Sequence, residues 1–145
     1  MTEDKRQPRR LIAGIDVGST TTKVVAVDED TREILYSNYK RHNADQVQSV
    51  IDGLRRLAEE FPGLSLRLAM TGSGAKTIAE ALHLPFVQEV VANSLVLREQ
   101  YPQVRTAIEL GGQDAKMIFF RWEKESNSLN VSDMRMNGTC AGGTG

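Results

Sequence analysis

The sequence predicts an α/β fold: a mixed five-stranded core sheet in which a strand meander is followed by crossover helices. Three observations carry this. Three short apolar or β-branched runs follow one another through tight turns at the start of the chain. Helical periodicity appears only after them, and strands then alternate with helices and glycine-bearing loops. The run 11–17 (LIAGIDV) and, after Gly-Ser-Thr, the run 21–27 (TTKVVAV) read as strands, and the polar turn at Asp28 to Thr31 leads into a third, 33–39. Val47, Val50, Ile51, Leu54, Leu57, Ala58 and Phe61 then recur at helical spacing, with Asn43 placed to cap, Gln46 at the capping-box position and Pro62-Gly63 as the stop. A fourth strand is predicted at 66–70, a Thr-Gly-Ser-Gly loop at 71–74, a short helix at 75–82 and a longer one at 88–101, stopped at Pro102. A strand at 105–110 runs into Gly111-Gly112, and strands 115–122 and 129–135 form a further hairpin around 124–128.

Composition narrows the function classes. A chain of 145 residues, 40% hydrophobic and 26% charged, suits one compact globular domain with a real core. With 18 basic and 19 acidic residues it has no overall field to draw nucleic acid or an anionic membrane, so neither is expected as a partner. Residues 1–10 are basic and are expected to form a disordered tail. No apolar run suits a signal peptide, and none approaches the ~18 residues of a membrane span, so a cytoplasmic location is expected. No internal repeat or low-complexity linker stands out. The one cysteine, Cys140, excludes an internal disulfide; it is a packing residue, a reactive thiol, or a ligand shared with something outside this segment.

Two stretches carry chemistry. The first is Gly14-Ile15-Asp16-Val17-Gly18-Ser19-Thr20-Thr21-Thr22-Lys23, between the first two strands. An acid at a strand end, a glycine in the turn, a hydroxyl cluster and a lysine are what a polyphosphate with magnesium requires. Gly18 admits close backbone approach, Ser19, Thr20 and Thr21 donate N–H and O–H groups, Lys23 adds charge and Asp16 holds metal-bound water. The same decad also suits an ordinary β-turn with solvated threonines. The second stretch, Ile108-Glu109-Leu110-Gly111-Gly112-Gln113-Asp114-Ala115-Lys116, again sets an acid at a strand end before a glycine turn. Two such turns can clamp one metal-phosphate unit, because phosphoryl transfer is mostly positioning and charge neutralisation. Glu109 as a solvated residue and Asp114 as a turn or capping residue are the alternatives. Ser73, Lys76, Glu89 and Asn93 suit either a cleft or exposed helix positions, and His42 and His83 lack a partner cluster, which favours surface or packing roles.

The paired motifs resemble the first and second phosphate motifs of the sugar kinase, actin and heat-shock chaperone superfamily. More narrowly, G-I-D-V-G-S-T-T-T-K, T-G-S-G, E-L-G-G-Q-D-A-K and N-G-T-C-A-G-G-T-G together resemble the activators of 2-hydroxyacyl-CoA dehydratases and the ATPase subunits of benzoyl-CoA reductase, with all motifs in family order from Leu11 to Gly145. The resemblance implies a ribonuclease-H-like, actin-like ATPase lobe over 11–145, truncated at the start of the cluster-bearing helix, with the second lobe beyond it. It also implies an ATPase that drives single electrons onto a partner enzyme from a [4Fe-4S] cluster held between two identical subunits, with ferredoxin or flavodoxin as donor. On that basis Asp16 and Glu109 are the catalytic carboxylates, with Asp16 also holding magnesium through water. Gly18, Ser19, Thr20, Thr21 and Lys23 form the first phosphate loop, and Gly111, Gly112, Gln113 and Asp114 the second.

Cys140 matches the first of two cluster cysteines. At an expected helix start its thiol is shifted toward the thiolate that iron requires. A cluster commonly takes about four thiolates, so a second cysteine is expected beyond Gly145. Two departures stand out. Similar sequences have aspartate at the position of Glu109, and Asn-Asp-Lys-Cys-Ala-Ala-Gly-Thr-Gly where this chain has Asn-Gly-Thr-Cys-Ala-Gly-Gly-Thr-Gly. Glutamate there also fits large activase-like proteins with two such domains. A small-molecule (sugar) kinase of the same fold and a nucleotide-binding switch with little hydrolysis remain as alternatives.

Overall fold

A computed structural model of the chain describes residues 10–111 and 114–137. These form two compact units that divide after Phe86. In the first, β1 (Leu11–Val17), β2 (Thr21–Asp28) and β3 (Ile34–Arg41) form the expected antiparallel meander, followed by α1 (Gln46–Glu60), β4 (Leu66–Thr71) and α2 (Lys76–Ala81). The sheet order is β3-β2-β1-β4. β4 lies parallel to β1, which the α1 crossover makes possible because parallel neighbours cannot be joined by a tight turn. In β1, alternation puts Leu11, Ala13, Ile15 and Val17 inside, fully buried; Ala13, Ile15 and Val17 pack with Val24, Ala26, Val50, Leu57 and Met70 in one core. Gly53 on α1 admits the close approach of the sheet, since a Cβ there would lie 2.9 Å from Val24 Cγ2.

The N-terminus of α1 differs from expectation. Asp45, not Asn43, is the cap, and its Oδ1 accepts the Gln48 N–H at 3.0 Å. Asn43 and Ala44 both have left-handed backbone, φ 49° and 67°, and so form the turn ahead of the helix. Gln46 accordingly becomes the first helical residue, and its side chain is released from the capping box for another contact.

In the second unit, α3 (Glu89–Gln100) is followed by β5 (Thr106–Leu110), β6 (Ala115–Glu123) and β7 (Ser128–Asn137), an antiparallel sheet of order β5-β6-β7. Ile118, Phe120 and Leu129 are its buried centre, packed with Val90 and Leu97 of α3 and with Trp122. A bulge at Phe119/Phe120 shifts the β6–β7 register, and the Ser132 hydroxyl donates to the Phe119 carbonyl at 3.2 Å.

The five-stranded core sheet predicted from sequence is thus replaced by a four-stranded and a separate three-stranded sheet. Residues 105–110 belong to the second unit, where they pair with the following strand, and the chain divides after Phe86, whose single-residue parallel bridge to Met70 is the pairing found beside β4 among the described residues. Pro85, one residue earlier, has no N–H to extend that ladder, although its carbonyl accepts the Met70 N–H at 2.8 Å. Among the described residues, no helix is long and apolar enough to cross a membrane.

Candidate functional site

The first hairpin places its chemistry by register. Asp16, near the end of β1, stands opposite Lys23 of β2, and the ammonium reaches Asp16 Oδ2 at 2.7 Å. The Gly18 N–H donates to the Thr21 carbonyl at 2.9 Å and closes the turn. Ser19 is half-buried, Thr20 exposed and Thr21 buried. The other Asp16 oxygen, Oδ1, is buried and has no hydrogen-bond partner. Gly72, in the Thr-Gly-Ser-Gly loop, lies against it with φ +104°, and a Cβ there would come within 2.5 Å of that oxygen. Only glycine fits, so this loop's part is to close around the carboxylate with backbone; Ser73 and Lys76 are exposed.

Behind the turn sits a brace that sequence patterning did not reveal. His42, just after β3, is buried; its Nε2 lies 3.1 Å from the Gly18 carbonyl and its Nδ1 3.1 Å from the Ala44 N–H. Gln46 Nε2 donates to the same Gly18 carbonyl at 3.3 Å, and a Cβ on Gly74 would run into the Gln46 side chain. The Gly74 N–H in turn donates to the Val17 carbonyl at 2.8 Å.

The second hairpin repeats the first. Glu109 stands opposite Lys116, as Asp16 stands opposite Lys23, and the Gly111 N–H donates to the Asp114 carbonyl at 2.8 Å, as Gly18 does to Thr21. Ile15-Asp16-Val17-Gly18 with Lys23 and Ile108-Glu109-Leu110-Gly111 with Lys116 therefore form one short repeat, contrary to the expectation of none. The surroundings differ. Lys116 Nζ is buried among three carboxylates, with Glu89 Oε2 at 2.7 Å, Asp114 Oδ2 at 3.4 Å and Glu109 Oε1 at 3.5 Å. Asn93 donates to the remaining Glu109 oxygen, Oε2, at 3.0 Å. Burial pulls the Lys116 ammonium down, but the Glu89 hydrogen bond and the charges of Glu109, Glu89 and Asp114 outweigh it and hold the group above its ordinary value of 10.5.

Glu89 and Asn93 are therefore partners of this hairpin and not solvated helix positions. Lys116 had no role in the sequence reading; its signal was the seven-residue offset from the acid, the same as from Asp16 to Lys23. Gly112, Gln113 and Cys140 lie outside the described residues. Among those described, no group of three or more His, Cys, Asp or Glu is arranged to hold a metal ion. Glu89, Glu109 and Asp114 converge on an ammonium instead. Asp16 Oδ1 is the atom that fits magnesium chemistry, a buried carboxylate oxygen that lacks a donor and suits a metal-bound water.

Comparison with known proteins follows the same motifs. The uncharacterized protein YjiL of Escherichia coli (strain K12) is 34% identical over 134 residues, 91% of this chain and 48% of its own. The (R)-2-hydroxyglutaryl-CoA dehydratase activating ATPase of Acidaminococcus fermentans is 28% identical over 135 residues, 91% of this chain and 48% of its own. The chain spans about half the length of the curated relatives it matches. In fold it resembles the activator of the 2-hydroxyisocaproyl-CoA dehydratase from Clostridium difficile with bound ADPNP, with a TM-score of 0.70 at 24% identity, covering 90% of this chain and 47% of that one. The family model for the BadF/BadG/BcrA/BcrD ATPases matches residues 13–145. The chain belongs to the BadF/BadG/BcrA/BcrD ATPase family.

Proposed function

We propose that the chain supplies the phosphate-binding hairpins of an ATP-dependent activator. The full-length protein hydrolyses ATP to drive low-potential single-electron transfer from an iron–sulfur cluster to a 2-hydroxyacyl-CoA dehydratase or benzoyl-CoA reductase-type partner. The observation that carries the reading is the repeat itself: two glycine turns, each closed by the same backbone hydrogen bond and each with an acid opposite a lysine. Family membership supports the ATPase, and the named activator relatives support the dehydratase partner.

In this reading Gly18, Ser19, Thr20 and Thr21 offer N–H and hydroxyl donors to phosphate oxygens, and Gly111, Gly112, Gln113 and Asp114 form the second loop. Lys23 holds Asp16 Oδ2 and leaves Oδ1 for magnesium-bound water. Magnesium, when bound, supplies neutralisation of phosphate charge. Glu109 orients the attacking water. Cys140 would hold, through its thiolate, a [4Fe-4S] cluster shared across a homodimer; that group would supply the low-potential electron, with ferredoxin or flavodoxin as the donor protein.

The test is phosphate release from Mg·ATP by the full-length protein. Asp16→Asn should lower it on the order of a hundredfold, since an acid placed for the transition state contributes on that scale; an unchanged rate removes Asp16 from the chemistry. Anaerobic reconstitution with iron and sulfide should give a lower cluster content in Cys140→Ala than in wild type; equal content removes Cys140.

One observation favours a second reading, a nucleotide-binding switch with slow hydrolysis. Both Glu109 oxygens are engaged, one by Asn93 and one near Lys116. Tight Mg·ATP binding with negligible phosphate release would select it.

A further inference from the structure

We propose that His42 is a positioning residue for the first loop: it sets the Gly18–Ser19 peptide so that the Ser19 N–H faces the phosphate. This rests on the reading of the 18–21 turn as a phosphate loop.

The argument starts from the ring. His42 is 6% exposed, and its Nδ1 lies 3.1 Å from the backbone nitrogen of Ala44, a donor. Nδ1 must therefore be the acceptor, which leaves the proton on Nε2, and that nitrogen donates to the Gly18 carbonyl at 3.1 Å. The geometry selects one neutral tautomer and fixes what each nitrogen does. The His42 backbone N–H donates to the Thr20 carbonyl at 3.2 Å, so the same residue grips the turn at two carbonyls.

The consequence lies on the other side of the peptide. C=O and N–H of a planar trans unit point in opposite directions, so donors gathered on the Gly18 oxygen turn the Ser19 N–H away from the brace. They also polarise it, because a peptide whose carbonyl accepts strongly is a better N–H donor. Gln46 adds a second donor to the same oxygen at 3.3 Å. The backbone that brings the ring into place is unusual: Asn43 and Ala44 are successive side-chain-bearing residues at positive φ. Such conformations persist where the surroundings over-determine them. Here the imidazole, wedged between the Ala44 amide and the Gly18 carbonyl, supplies the determinant.

Two substitutions separate the two nitrogens. His42→Gln places an amide N–H near the position of Nε2 and keeps a donor for the Gly18 carbonyl. His42→Asn places an oxygen near Nδ1, keeps the acceptor for Ala44 and loses the Gly18 contact. In the full-length protein, the amide NMR signals of Gly18, Ser19 and Thr20 without nucleotide, the Kd for Mg·ATP and the melting temperature are measured for each. The Asn variant should shift the Ser19 amide signal and weaken Mg·ATP binding about tenfold, as loss of one hydrogen bond at a buried group does. The Gln variant should keep both near wild type. Equal Kd values in all three proteins, or equal weakening in both variants with a lowered melting temperature, overturn the proposal in favour of plain packing. If wild type binds no Mg·ATP, the phosphate-loop reading falls and this inference with it; if wild type binds and the Asn variant binds as tightly, only the role of His42 falls.

Discussion

At the scale of single residues, the two carboxylates are held differently, and this sets what their substitutions should do. Asp16 keeps one oxygen without a partner, whereas Glu109 is held at both. Glu109→Asp withdraws the carboxylate by about a bond length and frees it from Asn93 or Lys116; misplacement on that scale changes rates up to about a hundredfold. Single-turnover phosphate release from Mg·ATP should therefore move strongly, upward if the engaged glutamate restrains hydrolysis. Lys116 is the structural keystone of its hairpin. Lys116→Met strands the carboxylates of Glu89, Glu109 and Asp114 together and should cost about 2 kcal/mol in denaturant unfolding at neutral pH. Because the folded-state pKa of Lys116 is raised, its contribution is complete below the ordinary value of 10.5 and fades only as pH climbs through the higher folded value, so the gap between variant and wild type should hold at neutral pH and narrow above 10.5. Ser49 offers the opposite case: it is buried and its hydroxyl has no partner, so Ser49→Ala should be neutral or stabilising by up to about 1 kcal/mol, read from the same unfolding curves. The turns that carry Asp16, Lys23, Glu109 and Asp114 were legible because an acid, a glycine and a lysine at fixed offsets have a local cause, while the roles of these residues toward phosphate rest on the proposed function. His42, Gln46 and Gly72 were not, since their roles depend on contacts that only the folded sheet brings about.

At the scale of elements, boundaries followed periodicity closely, and the misses share a cause. The helix start moved from Asn43 to Asp45 because consecutive left-handed residues lengthened the turn, a backbone choice that residue preference at one position does not announce. The α1–β2 contact turns on Gly53. A methyl there gains helix propensity of about 1 kcal/mol but meets Val24 at 2.9 Å, and a branched side chain has no room at all. Gly53→Val should therefore lower stability by about 2–3 kcal/mol, and pairing it with Val24→Ala should recover part of that loss in a double-mutant cycle. The same comparison illuminates the repeat. Ile15, Val17 and Val24 are buried in the core that α1 completes, while their counterparts Ile108, Leu110 and Met117 are exposed among the described residues. Similar local patterns thus end in different burial, because burial belongs to the partner element and not to the strand.

At the scale of the whole molecule, the α/β class and the order of elements were readable from alternation and helical spacing, but the sheet count was not. Strand pairing is a non-local choice: the hairpin of 105–110 with 115–123 is local and readable, whereas the division of the strands into a four-stranded and a three-stranded sheet is not marked by any residue preference. If the full-length protein binds Mg·ATP as proposed, ligand at one hundred times Kd should raise its unfolding free energy by about 2.7 kcal/mol, with a melting temperature that climbs with ligand concentration. A melting temperature indifferent to Mg·ATP would count against the nucleotide site as a whole.

The register that sets Asp16 across from Lys23 and Glu109 across from Lys116 also fixes how these turns tolerate insertion. Side chains alternate faces along a strand, so one residue gained or lost within 18–22 or 111–115 would carry the lysine, and every residue of the strand after it, to the wrong surface of the sheet. A slip at the tips 30–32 and 124–127 misplaces less, because β3 has no buried residue and β7 only Leu129. Length variation among natural versions of this domain should accumulate there, while the two glycine turns keep a constant count.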